Sequence, residues 1–228
     1  MESVIAIGIV AVLLTTFLAV FGPATQGIRR ALSVQEADRL ASALERELQI
    51  LRPEETGFET AFDKAFAWIE KSGDEDSAVL LYNYRADPSR ITDGRMEPYE
   101  APADTPGEPG KDYVIQAGVR RQGDSFLSEE LAQVSGPVYY VNMIQLVFDD
   151  DSLTTGEPGK IKDPHEGNAA VTDPDDYPEA VIAFSAEFYV LKSNSVNYVE
   201  NLTITKTSDG RPENLGRPLF TRNLAVRR

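Results

Sequence analysis

The sequence predicts an α+β fold in which a long amino-terminal α-helix packs on an antiparallel β-sheet. Three observations support this prediction. The chain opens with a long uncharged run, apolar residues then recur with a helical period, and stretches rich in β-branched and aromatic residues follow from residue 78. The 228 residues leave room for one ordinary domain with a hydrophobic core beyond the apolar run.

Composition limits the classes of function that the chain can have. The formal net charge of −15 repels phosphate backbones, so we expect no nucleic-acid partner. The chain has no cysteine, which excludes disulfides, thiolate metal sites and cysteine nucleophiles. It has a single histidine, His165. No paired carboxylate motif replaces these groups, and we therefore expect a protein without enzymatic activity.

The uncharged run from Val4 to Phe21 predicts a transmembrane or filament-core helix over residues 1–24. At 1.5 Å per residue it spans roughly 27 Å, about the thickness of a hydrocarbon core. Three interpretations fit the run: a cleaved secretory signal, a plain membrane anchor and a filament-forming helix. A signal peptide has a positive start and a shorter apolar core, whereas this chain starts with Met-Glu. A filament-forming helix gives Glu2 a role, because a neighbouring subunit can supply the opposite charge.

The stretch "ESVIAIGIVAVLL" resembles the start of type IV pilins and type II secretion pseudopilins, and "AIGIVAVLLTTFLAVFGPA" is similar to pilin-like proteins of the Verru_Chthon cassette type. The resemblance covers roughly the first 50 residues. It implies a pilin-like fold, other pilin-like subunits as partners, and the bacterial inner membrane as the location before assembly. The chain would cross that membrane once, with its domain in the periplasm or in an extracellular filament. The residues that the resemblance assigns to assembly are Glu2, Val4, Ile5, Ile7, Gly8 and Ile9. The family also has a basic leader that ends in Gly and then an aromatic residue, and neither is present before Glu2 in this sequence. Either the family's start lies upstream of Met1, or this protein is not a processed pilin.

A second helical segment is predicted over residues 25–52, continuing into a globular domain over residues 53–228. Its apolar residues fall on one face of a helix, and Pro53 ends it. These residues are Ala37, Leu40, Ala41, Leu44, Leu48 and Leu51. A further helix is predicted over residues 60–72, followed by Gly73 in the position that favours a helix end.

The remainder of the chain predicts an antiparallel sheet of about four to six strands. The predicted strands are residues 78–84, 112–121, 137–148, 179–191 and 197–206, with a short final strand in "FTRNLAVRR". Two ranges rich in Pro, Gly and acidic residues, 85–111 and 149–178, are predicted as long loops. Both contain "GEPGK", which we interpret as the same turn chemistry used twice.

The acidic loops hold the only candidate metal ligands. Their carboxylates are the hard oxygen ligands that calcium prefers, although the spacing does not match an EF-hand. The candidate calcium ligands are Asp149, Asp150, Asp151, Asp173, Asp175 and Asp176.

These observations together predict a structural subunit, of minor or accessory rank, in a type IV pilus-like or type II secretion pseudopilus-like filament. It would assemble through its apolar amino-terminal helix. The alternative is a membrane-tethered extracytoplasmic binding domain that does not polymerise, and a third interpretation is a secreted enzyme that uses carboxylates.

Overall fold

The computed structural model describes residues 13–17, 19, 35, 36, 38–53, 55, 57–72, 74, 77–92, 94–102, 107–149, 152–165, 169–207 and 210–228, with only the backbone of Asp149. Contacts divide the chain into two units, Met1–Arg39 and Leu40–Arg228. In the first unit, residues 13–17 are helical. The predicted division of the chain at residues 24 and 52 stays a prediction.

The predicted fold class is wrong. Over the residues that it describes, the structure is mostly β-sheet, 37% strand against 24% helix, with a large antiparallel sheet and short helices rather than a long amino-terminal helix. Crossing a bilayer takes about 20 consecutive apolar residues in one helix. Within the ranges given above, no helix combines that length with sufficient apolar character. This finding contradicts the predicted single-pass location in the bacterial inner membrane and the prediction of a prepilin-type helix.

The second unit contains a seven-stranded antiparallel sheet. Its strands are β1 (Val79–Thr92), β2 (Arg95–Pro98), β3 (Val114–Arg121), β4 (Tyr139–Asp149), β5 (Ser152–Thr155), β8 (Val181–Val190) and β9 (Phe220–Arg227). They follow the order β2-β1-β4-β8-β9, with β3 also paired to β1 and β5 also paired to β4. The short strands β6 (Ile161–Lys162) and β7 (Ala170–Val171) pair separately.

The centre of the sheet is buried on both faces. The first six residues of β1 are all buried, as is most of β8. Both strands therefore have nearly continuous apolar sequences, without the alternation of apolar and polar residues seen in half-exposed strands. On one face, Leu80, Tyr82 and Tyr140 pack against two short helices, α3 (Leu127–Ala132) and α4 (Val196–Glu200). These two helices therefore help to cover one face of the sheet.

Two further helices of the second unit are joined by a buried charge cluster. Residues 40–48 of this unit are helical, and this part of helix α1 buries Leu40, Leu44 and Leu48. Helix α2 (Ala61–Lys71) buries the aliphatic and aromatic side chains of its inner face. Lys64 of α2 is 0% exposed, and its Nζ donates to Glu47 Oε1 (3.0 Å), the Ile50 carbonyl (2.9 Å) and Glu55 Oε2 (2.9 Å). All three ammonium protons therefore have acceptors, which is what makes a fully buried lysine tolerable.

The local predictions for the sheet region have mixed outcomes. Helix α2 and strands β1, β3, β4, β8 and β9 lie where the sequence predicts them. Residues 197–206 are instead helix α4 and an irregular segment, because Val199, Leu202 and Ile204 bury themselves in the core without pairing. Both ranges predicted as loops contain strands: β1 continues to Thr92 and pairs with β2, and residues 152–171 hold β5, β6 and β7.

The two "GEPGK" segments form equivalent turns. Gly110 and Gly159 have φ of 80° and 76°, a conformation that glycine adopts without strain. In each copy the lysine N–H donates to the glutamate carbonyl three residues earlier at 3.2 Å, and the lysine ammonium pairs with that glutamate's carboxylate. The shared residues thus encode one turn geometry at two places.

Candidate functional site

A cavity of about 380 Å³ lies between a β-hairpin arm and helix α3, and we call it the arm–helix cavity. The arm is the end of β1 with β2, and it lines the cavity with Arg90, Thr92 and all four residues of β2. The opposite wall is α3 and its flanking residues, represented by Phe126, Glu129, Glu130, Ala132 and Gln133. Arg120 of β3 and Glu100 complete the lining. The volume falls in the usual range for ligand pockets.

An ion pair forms the most deeply buried part of the cavity lining. Arg120 is 4% exposed and Glu130 is 2% exposed, and the Arg120 Nη2 donates to Glu130 Oε1. The Tyr82 hydroxyl donates to Glu130 Oε2 at 2.7 Å, so both carboxylate oxygens have donors. Burial would lower the pKa of Arg120, but the adjacent Glu130 charge outweighs it and the pKa is raised. Burial and the Glu130 charge also raise the pKa of Tyr82 well above its usual range, so Tyr82 stays a donor.

A glycine makes room for this ion pair. Gly118 of β3 lies directly opposite Tyr82 of β1 in the sheet register. A Cβ at Gly118 would lie 2.6 Å from the Tyr82 ring and 3.0 Å from Glu130 Oε2. Contacts that short force side chains to move, so glycine is needed where the Tyr82 ring crosses the neighbouring strand.

Phe126 provides an aromatic surface between two guanidinium groups. The Cζ atoms of Arg95 and Arg120 lie 5.4 Å and 5.8 Å from the centre of the Phe126 ring. Cation–π attraction at these distances holds both arginines beside the ring. The resulting lining combines an apolar surface, formed with Met96 and Pro98, and a small number of fixed polar groups.

The charges of the lining are unevenly compensated. Arg90 pairs with Glu97, and Arg120 pairs with Glu130. Glu129 and Glu100 are exposed at the rim and form no ion pair with any residue whose position the structure describes. With four glutamates and three arginines, the lining as a whole has a net charge of −1.

The ionisable side chains that line the cavity are three arginines and four glutamates, without a histidine, lysine or cysteine among the described lining residues. No cysteine exists in the chain, and the only histidine, His165, contacts Glu179 in an exposed segment that does not line the cavity. The Thr92 hydroxyl donates to the Glu97 carboxylate at 2.6 Å, at the exposed end of the arm. The arrangement can bind and orient a ligand.

Most of the predicted site residues lie outside the part of the chain that the structure describes. Glu2, Val4, Ile5, Ile7, Gly8 and Ile9 lie outside the described residues, as do Asp150, Asp151 and the side chain of Asp149. Asp173 precedes a single 3₁₀ turn, Pro174–Asp176, and its side chain accepts from the Asp175 N–H at 3.0 Å. Among the residues with described positions, no three acidic or histidine side chains are grouped as a metal site would require. The calcium and assembly residues stay predictions.

The sequence interpretation missed the cavity because it treated residues 85–111 as a loop. The available signal was the Asp93-Gly94 dipeptide, which is typical of tight hairpins. Gly94 has a φ of 76°, and Thr92 pairs with Arg95 across the turn. Residues 88–92 of β1 are all exposed and the four residues of β2 are all half-buried, so the side chains of the arm do not alternate in the manner that usually reveals a strand.

Comparisons with known families, with curated proteins and with solved structures found no match to this chain. The resemblance of its amino terminus to pilins and pseudopilins stays a prediction. The class of protein is therefore argued from the fold and the arm–helix cavity alone.

Proposed function

We propose that this protein is a partner-binding protein without enzymatic activity, and that the arm–helix cavity of its second unit is the binding site. The observation that carries the proposal is the aromatic and apolar surface of Phe126 and Met96, bordered by fixed charges in a cavity of ligand size. Apolar surface with a few oriented polar groups is the usual composition of binding sites.

Rigid support of the cavity also favours binding. Its inner part rests on the Arg120–Glu130 pair, and its arm is held by the Tyr84 hydroxyl, which donates to the Met96 carbonyl at 2.8 Å. Preorganised walls lower the entropy cost of binding.

Panning a displayed library of random short peptides against the purified chain tests the proposal. Ala132 is exposed and lines the cavity, so Ala132→Trp should fill the space without disturbing the core. The matched control is Ser42→Trp, which places the same side chain at an exposed position of α1 outside the cavity. We expect selected peptides to lose binding to Ala132→Trp and to keep it for Ser42→Trp. Peptides that bind both variants equally, or no selected peptides, would contradict the proposal.

A filament subunit is the second candidate function, and one observation on the first unit favours it. In the helical residues 13–17, Leu13, Leu14 and Phe17 are 64%, 60% and 55% exposed. Large apolar side chains exposed together usually mark an interaction surface. Copies of the chain that assemble through this segment would bury them.

Sedimentation velocity and electron microscopy of the full chain test the filament function. We expect polymers that are lost when Leu13, Leu14 and Phe17 are changed to Gln, and that grow more slowly in Glu2→Gln. The control is Ile91→Gln, which removes an equally exposed apolar side chain from the arm. A chain that stays monomeric at all concentrations would exclude this function and leave the binding function intact.

A further inference from the structure

We infer that the ligand of the arm–helix cavity is an extended, basic peptide segment of a partner protein, which aligns with strand β2. This inference rests on the proposed binding function and specifies its class of ligand. Three independent features of the cavity lead to it: the way β2 lines it, a buried donor and the charge of its rim.

The lining by β2 indicates an extended chain. Successive side chains of a strand point to opposite faces, yet all four residues from Arg95 to Pro98 line the cavity. The cavity therefore runs along an edge of the strand. Among the described strands β2 pairs only with β1, so the other edge of β2 has no strand partner there. Addition of a peptide to an exposed strand edge is a common mode of recognition.

A buried donor of the lining has no acceptor among the described residues. The Nε of Arg120 makes no hydrogen bond with them, and the Asp124 Oδ2 lies 3.8 Å from it. A buried donor without an acceptor costs about 1–3 kcal/mol. A carbonyl of a bound peptide would supply the missing acceptor.

The charge of the rim favours a basic segment. The lining holds four glutamates and three arginines, and among the described residues Glu100 and Glu129 form no ion pair, whereas Arg90 and Arg120 are paired with glutamates. The whole chain has a net charge of −15, which attracts basic partners and repels acidic ones over long range. Apolar side chains of the same segment would contact Met96 and Phe126, while lysine or arginine side chains reach the two glutamates.

Titration with three synthetic peptides tests the ligand class. The peptides share alternating apolar residues and differ only in carrying Lys, Glu or Gln between them. We expect the Lys peptide to bind at least about tenfold more tightly than the Glu peptide, a difference of about 1.4 kcal/mol, and to weaken as salt is added. A Lys peptide with N-methyl groups on alternate backbone amides keeps its side chains but loses strand pairing, and it should bind about tenfold more weakly.

Double variants test whether the two rim glutamates cause the preference for the Lys peptide. Glu100→Gln with Glu129→Gln should remove most of the preference for the Lys peptide. Glu200→Gln with Glu213→Gln is the matched control, because both residues are exposed and lie outside the cavity. Equal or tighter binding of the Glu peptide, or no effect of N-methylation, would overturn the ligand class. If the ligand class is overturned, library peptides that bind the parent but not Ala132→Trp would still support the binding function. The absence of such peptides would refute the binding function itself.

Discussion

Replacing Glu130 by glutamine tests whether the buried ion pair holds the cavity together. The variant keeps the shape of the side chain and leaves the Arg120 guanidinium, 4% exposed, without its main counter-charge. Removing one partner of a buried pair costs about 3–5 kcal/mol. We expect a loss near 3 kcal/mol, because the glutamine oxygen still accepts from Arg120 and because Asp124 lies 3.8 Å from the Arg120 Nε. This is a large part of a typical total stability of about 5–15 kcal/mol.

Urea unfolding at neutral pH, followed by fluorescence of the buried Trp68, measures this loss. Tyr82→Phe removes one hydrogen bond to the same carboxylate and should cost less, about 1.5–3 kcal/mol. Arg120→Met combined with Glu130→Leu and Tyr82→Phe removes both charges and the hydroxyl that would lose its acceptor, and should be close to the parent in stability. A Glu130→Gln variant within about 0.5 kcal/mol of the parent, where unexceptional surface substitutions fall, would refute the reasoning.

Three further predictions concern the rest of the second unit. Gly118→Ala should lower the free energy of unfolding by about 1–3 kcal/mol, because the added methyl group clashes with Tyr82. The control is Gly57→Ala, whose methyl group meets nothing within 4 Å and should be nearly neutral. Thermal unfolding compares the two variants, and equal melting temperatures would contradict the close approach of Gly118 and Tyr82. Lys64→Met should lower the free energy of unfolding by about 3–5 kcal/mol, because Glu47 and Glu55 lose the ammonium group that pairs with them. Urea unfolding measures the loss, and an unchanged urea midpoint would show that Lys64 does not stabilise the cluster. Burial would raise the pKa of Glu47, but hydrogen bonds and charges from Arg52 and Lys64 outweigh it and lower the pKa below the reference of 4.5. A carboxyl group whose pKa is lower in the folded state stabilises the protein at pH values above its unfolded-state pKa, and this stabilisation is lost as the pH falls through its folded-state pKa. The difference in unfolding free energy between the parent and Glu47→Gln should therefore shrink below about pH 4. A difference that stays constant across that pH range would contradict this prediction.

The parts of the fold that follow from local patterns were predictable from the sequence. Thr60 and Asp63 form a capping box at the start of α2, and the apolar stripe of that helix is buried as its periodicity indicates. The runs of Val, Tyr and Phe in β4 and β8 likewise gave the central strands.

The cavity depends on contacts that no local pattern reveals. Arg120 and Glu130 are ten residues apart and belong to β3 and α3, and Tyr82 is 48 residues from Glu130. Only the sheet register places Gly118 opposite Tyr82. A buried arginine or glutamate has the same one-letter pattern as an exposed one, so the sequence could not distinguish this pair from ordinary surface charges.

Methionine methyl resonances give the most direct test of the central claim that the arm–helix cavity binds a partner. Of the three methionines, Met96 lines the cavity, Met143 is fully buried in β4, and Met1 lies outside the described residues. On titration of methyl-labelled protein with the Lys peptide, we expect the Met96 signal to shift to saturation and the Met143 signal to stay in place, with no Met96 shift in Ala132→Trp. Saturable binding that leaves the Met96 signal unmoved, or that moves it equally in Ala132→Trp, would contradict the account.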